Sequence, residues 1–137
     1  QRAFAMMIFY HLYKEMFRRG IQDSITHVLV FDEAHRAAKL TLLPTMAKEC
    51  RKYGISLVVA SQEARDFDLS LFSNIATYLV LRTNESDAKF LAHNVGTSDQ
   101  KKRLVDQIKK LEKFMALYLA GGTARPRVVQ LLKAGSV

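Results

Sequence analysis

Two hydrophobic patterns alternate along the chain. Mostly apolar runs, without the polar alternation of a half-buried strand, occupy residues 26–31, 55–60 and 77–82. Such runs are typical of strands buried on both faces of a parallel sheet. Between them, apolar residues recur every three or four positions, which is the period of an amphipathic helix. The alternation predicts an α/β fold in which a mostly parallel sheet is covered by helices on both faces.

Residues with capping preferences mark the ends of the predicted helices. Gly20 and Gly54 follow the first two helical segments, and Gly96 follows the third. Glycine adopts the left-handed conformation that often ends a helix. Asn84 or Ser86 can cap the start of the third segment, because their side chains accept hydrogen bonds from free backbone N–H groups.

The last third of the chain predicts a basic amphipathic helix and a β-hairpin. Leu104, Ile108 and Leu111 lie on one side of a helix over about residues 98–113, with lysines on its other sides. Two strand-like runs joined by glycines follow at about 114–133. With no repeat or flexible linker in the sequence, residues 1–137 are expected to form a single domain.

The positive charge is concentrated near the C-terminus. Residues 101–137 contain nine Lys or Arg and two Asp or Glu, a difference of +7 within a total of +8. Either a polyanion such as DNA binds there, or the charges form a solvated helix face. The candidate nucleic-acid contacts are Lys101, Lys102, Arg103, Lys109 and Lys110.

The remaining composition indicates a cytoplasmic protein. Cys50 is the single cysteine, so no internal disulfide can form, and a small core residue in a reducing compartment is expected. No apolar run is long enough to predict a membrane span. Gln1 opens directly into a helical pattern, and the chain is therefore expected to be an internal or C-terminal piece of a longer protein.

Polar side chains follow the apolar runs where each predicted strand ends. Asp32 and Glu33 end the first, Gln62 the second and Arg82 the third. Ligands bind beyond the carboxyl ends of strands in open parallel sheets. In a nucleotide hydrolase, the first carboxylate holds Mg²⁺ through water and the second polarises the attacking water. The alternative is an acidic helix N-terminus after a buried strand, which the helix dipole favours without any catalytic role.

Three stretches resemble the C-terminal half of the ATPase core in the HerA/FtsK superfamily. They are "VLVFDEAH", "AKECRKYGISLVVASQEARDFD" and "IATYLVLRTNESDAKFLA", within residues 28–92. The resemblance is strongest to HerA-type DNA translocases, with conjugative coupling proteins and type IV secretion ATPases as cousins. It implies a partial RecA-like core, a hexameric ring and DNA as a partner, and it allows for a nuclease partner as in HerA-like systems.

The same resemblance implies roles for individual residues. Asp32 corresponds to the Walker B carboxylate that binds Mg²⁺, Glu33 to the catalytic base and Gln62 to the γ-phosphate sensor. Asp32, Glu33 and Gln62 would thus contact ATP with its Mg²⁺. Arg51, in "RKYG", corresponds to an arginine finger that reaches a nucleotide on the adjacent subunit. A basic residue in the last turn of a helix is also favoured by the helix dipole alone.

One element of the family is missing from the sequence. No G-x-x-x-x-G-K-[ST] phosphate-binding loop occurs, and this chain alone is therefore expected neither to bind nor to hydrolyse ATP appreciably. His35 completes "DEAH", but the next strand ends in "ASQE" instead of the Ser-Ala-Thr type motif of DEAH helicases.

Three functions fit this sequence. The first is part of a hexameric, ATP-driven DNA translocase or helicase, with the arginine finger acting in trans. The second is a non-catalytic basic module for DNA binding or assembly. The third is a type IV secretion or conjugation ATPase, which shares every catalytic residue with the first.

Overall fold

The computed structural model describes residues 2–32, 42–120 and 125–132, and it divides the chain into two compact units, residues 1–74 and 75–137. Glu33 and His35 lie outside the described residues. Each unit combines helices with strands, as the alternating sequence pattern predicts.

The first unit contains two parallel strands and the helices next to them in sequence. Helix α1 (Arg2–Arg19) ends at Gly20, which has a φ of 74°. The other elements are strand β1 (His27–Phe31), helix α2 (Leu42–Glu49) with a 3₁₀ turn (Cys50–Tyr53), strand β2 (Ile55–Val59), a second 3₁₀ turn (Ala64–Asp66) and the short helix α3 (Leu69–Phe72). Strands β1 and β2 pair in parallel from His27 opposite Ile55 to Phe31 opposite Val59.

Helix α1 packs on one face of the two strands. Phe9 stacks on Phe31 with 4.5 Å between ring centroids. Met16, Cys50 and Ile55 are buried together, against the partly buried side chains Tyr13, Leu29, Tyr53 and Leu57. Aromatic and aliphatic burial of this kind is the main force that holds a helix on a sheet.

The opposite face of β1 differs from the prediction that this strand is buried on both faces. Val28 and Val30 are 59% and 64% exposed, and Val58 on β2 is 45% exposed. Alternate residues of a strand point to opposite faces, and α1 covers only the face that carries Leu29 and Phe31. An apolar run therefore identified the strand correctly but overestimated how much of it the described residues bury.

The second unit has three antiparallel strands and two longer helices. Its elements are strand β3 (Thr77–Val80), helix α4 (Glu85–Val95), a 3₁₀ turn (Ser98–Gln100) that leads into helix α5 (Lys101–Lys109), strand β4 (Met115–Ala120) and strand β5 (Arg127–Gln130). Strand β4 pairs antiparallel with β3 on one side and with β5 on the other. The predicted hairpin is therefore present, and its antiparallel pairing extends to β3.

The second unit has its own hydrophobic core. Its buried members come from α4, α5, the turn after α5 and the strands: Val80, Ala88, Ala92, Leu104, Ile108, Leu111, Leu117 and Leu119. Asn84 caps α4 by accepting a hydrogen bond of 2.9 Å from the N–H of Asp87, and Gly96 ends the helix. Both ends match the sequence prediction, in which Asn84 was one of two candidates for the cap.

In the part of the chain that the structure describes, no helix has the length and apolar character that a membrane crossing requires.

Candidate functional site

The carboxyl ends of β1 and β2 bring two of the predicted site residues to one edge of the parallel pair. Asp32 directly follows Phe31, and Gln62 lies three residues beyond Val59, the partner of Phe31 in the ladder. The N–H of Ala60 donates to the carbonyl of Phe31 at 2.9 Å, so the pairing continues to the point where the loops begin. The side chains of Asp32 and Gln62 are exposed there.

The loop that carries Gln62 is closed by a side-chain hydrogen bond. The hydroxyl of Ser61 donates to Oδ2 of Asp66 at 3.0 Å, and both residues are half-buried. Within the closed turn, the N–H of Asp66 lies 3.4 Å from the carbonyl oxygen of Glu63. Gln62 is therefore held between the end of a β ladder and a compact turn.

Helix α3 follows this turn and is fixed at its start. Asp68 accepts a 2.8 Å hydrogen bond from the N–H of Ser70, and hydrogen bonding to Ser70 lowers the pKa of the Asp68 carboxyl. Phe67 and Phe72 meet edge to face with 6.4 Å between ring centroids. The segment after β2 is thus ordered over residues 61–72.

Asp32 fits the requirements of a magnesium ion that is held mainly by phosphate and water. Mg²⁺ bound with a nucleotide takes one or two protein carboxylates and keeps several waters. Among the residues described, no cluster of three or more His, Cys, Asp or Glu could hold a metal by protein ligands alone. A single exposed carboxylate at a strand end is compatible with the first arrangement and not with a protein-only metal cage.

Arg51 lies at the other end of the parallel pair. It belongs to the 3₁₀ turn before β2, whereas Gln62 comes after that strand. Five residues of strand separate these ends by about 16 Å, at roughly 3.3 Å per residue. The exposed Arg51 therefore does not join Asp32 and Gln62 on the same chain.

The neighbours of Arg51 have other roles. Lys52 lies 3.9 Å from the carboxylate of Glu49, an ion pair one helical turn apart. Burial raises the pKa of the Cys50 thiol, which matches the prediction of a small core residue. Arg82 belongs to the second unit, where it is exposed two residues beyond the end of β3.

The five predicted nucleic-acid residues all lie in or next to α5, but their environments differ. Lys109 is paired with Glu85 of α4 at 2.9 Å, and this contact raises the pKa of Lys109. Lys89 pairs with the same carboxylate at 2.8 Å, and the two lysines lower the pKa of Glu85 to about 2. Lys101 lies 3.3 Å from Nδ1 of His93. Two of the five cations are thus engaged within the second unit.

The other three line an open cleft between α5 and the start of β4. Lys102, Arg103 and Lys110 form its basic rim, and the cleft has a volume of about 770 Å³. Its apolar lining is Leu111, Met115 and Val128, and three acidic residues also line it: Asp99, Asp106 and Glu112. The rim is therefore mixed in charge, which weakens its attraction for a polyanion relative to a purely basic surface.

Sequence reasoning missed two features of the carboxyl edge. It did not consider Arg65, an exposed cation on the turn after Gln62, or the bond between Ser61 and Asp66. The sequence could have suggested this bond, because a serine and an aspartate five residues apart lie on either side of Gln62 in "SQEARD".

Solved structures with the same fold include a genome packaging NTPase and a conjugative coupling protein. The genome packaging NTPase B204 from Sulfolobus turreted icosahedral virus 2, in complex with AMP, is 14% identical with a TM-score of 0.72, and the match covers 92% of this chain and 62% of that one. The bacterial conjugative coupling protein TrwBΔN70 is 16% identical with a TM-score of 0.70, and the match covers 88% and 35%. This chain therefore spans only part of each relative.

The matches support the expected fold, a mixed α/β architecture shared with RecA-like ATPases. A search of curated proteins finds no match. The family model described as "TraM recognition site of TraD and TraG" matches residues 26–115, which is more than half of the chain. The chain belongs to the TraG/TraD C-terminal family of HerA/FtsK-type P-loop ATPases.

Proposed function

We propose that this chain is the part of an ATP-driven DNA translocase that activates water and senses the γ-phosphate. The observation that supports this proposal is the placement of Asp32 and Gln62 at one carboxyl edge of β1 and β2, in a chain of this family. Ligands of open parallel sheets bind at such an edge. The phosphate-binding loop, which this sequence lacks, would come from another part of the whole protein.

Each residue at this edge has a separate task in the proposed mechanism. Mg²⁺, when bound, neutralises developing charge on the phosphate oxygens. Asp32 would hold that ion through water, and Glu33 would orient and deprotonate the attacking water. Gln62 would donate its amide N–H to the γ-phosphate, which favours the charge that builds up there in the transition state.

We further propose that Arg51 acts on the nucleotide of a neighbouring subunit. Arg51 is separated from the carboxyl edge by about 16 Å along β2, which is too far for it to act on a nucleotide at that edge of the same chain. An exposed arginine with no ion pair to a described residue can instead reach across a subunit boundary. Arginine fingers supplied in trans stabilise transferring phosphoryl groups, and a hexameric ring would place one at every interface.

DNA contact is assigned to the exposed cations of the second unit. Lys102, Arg103 and Lys110 are available, whereas Lys101 and Lys109 are engaged with His93 and Glu85. Lysine and arginine bind phosphates without reading sequence. The mixed charge of the cleft rim favours weak, reversible contacts, which suits a protein that moves along its substrate.

The family match favours a more specific second candidate, a conjugation or secretion ATPase. The matching model is named for a TraM recognition site, and one structural relative is a conjugative coupling protein. In this version the second unit would also contact a partner protein. The HerA-type version would instead pair the ring with a nuclease. Both versions operate in the cytoplasm, where a lone buried thiol such as Cys50 stays reduced.

Exchange of Glu33 for Gln tests the proposed activity in the whole protein. Because Gln keeps the shape but cannot accept a proton, Glu33→Gln should lower ATP hydrolysis by at least ~100-fold, the lower range for general-base catalysis, with ATP still bound. Glu63→Gln is the matched control, an exposed glutamate on the loop after β2 that should keep normal turnover. Normal hydrolysis in Glu33→Gln would refute the role of Glu33 as the base. Absence of hydrolysis in the unchanged whole protein would instead favour the non-catalytic DNA-binding module.

A further inference from the structure

The position of Gln62 depends on the turn that encloses it. The last ladder bond before it is the one from Ala60 to Phe31, and the next ordered element is the 3₁₀ turn at Ala64–Asp66. Between these points, Ser61 and Asp66 are joined at 3.0 Å. This bond closes a loop of six residues with Gln62 inside it.

Residues 61–66 differ in how far their side chains are buried. Ser61 and Asp66 are half-buried, whereas Gln62 and Glu63 are exposed on the outside of the turn. A hydroxyl that donates to a carboxylate forms a charge-assisted bond, which is shorter and stronger than one between neutral groups. Such a bond limits the backbone conformations of the residues that it encloses. A fixed backbone at Gln62 reduces the number of positions that its amide can reach, because the glutamine side chain alone has many rotamers.

We propose that Ser61 and Asp66 are positioning residues that hold Gln62 in the orientation needed at the γ-phosphate. The inference rests on the proposed function, since it assumes that Gln62 acts on a nucleotide. Neither residue touches the substrate in this scheme. Their contribution is to keep the amide of Gln62 within reach of one place, because a displacement of about 1 Å at a catalytic group can cost ~100-fold in rate.

Two pairs of substitutions in the whole protein test this inference. Ser61→Ala and Asp66→Ala each remove the bond and should lower kcat about tenfold or more, a part of the ~100-fold cost of misplacement, with the KM for ATP within about twofold. Ser61→Thr and Asp66→Asn keep a donor and an acceptor in place, and both should retain most of the activity. An Asp66→Asn variant as slow as Asp66→Ala would overturn the positioning role.

A cycle with Gln62→Ala separates positioning from general stability. If Ser61 acts through Gln62, adding Ser61→Ala to Gln62→Ala should slow hydrolysis no further in single-turnover assays. An equal loss in both backgrounds would overturn the inference. Hydrolysis unaffected by Gln62→Ala would instead refute the sensor role on which the inference rests. If Ser61→Ala hydrolyses ATP normally and Gln62→Ala hydrolyses it slowly, the positioning role of Ser61 is refuted while the sensor role of Gln62 stands.

Controls on the same segment distinguish local folding from positioning. Asp68→Asn alters the cap of α3, and Ser73→Ala removes a 2.8 Å bond to the carbonyl of Ser70. Both changes perturb hydrogen bonds that are close to the turn and similar in length to the bond between Ser61 and Asp66. Neither of these hydrogen bonds closes the loop that contains Gln62. They should leave kcat and KM unchanged, and a loss of kcat equal to that of Asp66→Ala would contradict the inference.

Discussion

At the residue scale, Gly54 joins the starts of both parallel strands. Its φ is 68°, and its carbonyl oxygen accepts a 2.7 Å hydrogen bond from the N–H of Thr26 and one of 3.2 Å from the hydroxyl of the same residue. A Cβ added at Gly54 would lie 2.6 Å from the carbonyl oxygen of Ser24. This residue thereby helps to fix the register that places Asp32 beside the loop of Gln62.

Comparing alanine substitutions at Gly20 and Gly54 tests how much the close approach of Gly54 to Ser24 contributes to stability. Gly20→Ala should cost about 1–2 kcal/mol, because an L-residue is strained at its φ of 74° but meets nothing within 4 Å. Gly54→Ala should cost about 1–3 kcal/mol more, since the added carbon also collides with backbone. Thermal and urea unfolding of both variants measure the difference. Equal losses of stability in the two variants would show that the backbone at Ser24 moves away from the added Cβ without a measurable loss of free energy.

Glycines and caps were readable from sequence at this scale because their chemistry is local. The sequence predicted that Gly54 and Gly96 end helical segments, and Asn84 was one of two candidates for the cap of α4. The bond between Ser61 and Asp66 depends on how the chain turns between them, and propensity does not fix that turn.

At the element scale, α5 shows which properties of a helix its own sequence determines. The apolar spacing predicted the buried face, and Leu104 and Ile108 are fully buried. The state of the lysines depends on other elements, because Glu85, the partner of Lys109, lies 24 residues away on α4. Sequence therefore identified the five basic residues but could not separate the engaged ones from those that remain available.

Salt-dependent DNA binding by the whole protein tests this separation. Substituting Ala for Lys102, Arg103 or Lys110 should reduce the slope of log K against log salt by about 0.9 for each duplex phosphate that the side chain binds. Lys109→Ala should change the slope less, because the Lys109 ammonium is already paired with Glu85, a carboxylate that it shares with Lys89. Lys52→Ala is the control, as this lysine belongs to the first unit and pairs with Glu49. Equal effects of Lys109→Ala and Lys102→Ala would contradict the assignment.

At the scale of the whole molecule, the residues with proposed roles lie at two opposite ends of the parallel strand pair in the first unit. Asp32 and Gln62 follow the carboxyl ends of β1 and β2, whereas Arg51 precedes β2. The order of strands and helices was predicted because each element has its own hydrophobic period. The exposure of Val28 and Val30 was not, since burial depends on what packs against a strand rather than on the strand itself.

In the proposed mechanism, the carboxyl edge and Arg51 of one subunit serve different ATP sites. Mixing Glu33→Gln subunits with Arg51→Ala subunits of the whole protein, each inactive alone, tests this arrangement through the rate of ATP hydrolysis. Mixed assemblies contain interfaces in which an intact Glu33 faces an intact Arg51, and they should recover a substantial fraction of wild-type turnover. Mixtures that remain as inactive as either variant alone would contradict the action of Arg51 on the ATP site of a neighbouring subunit.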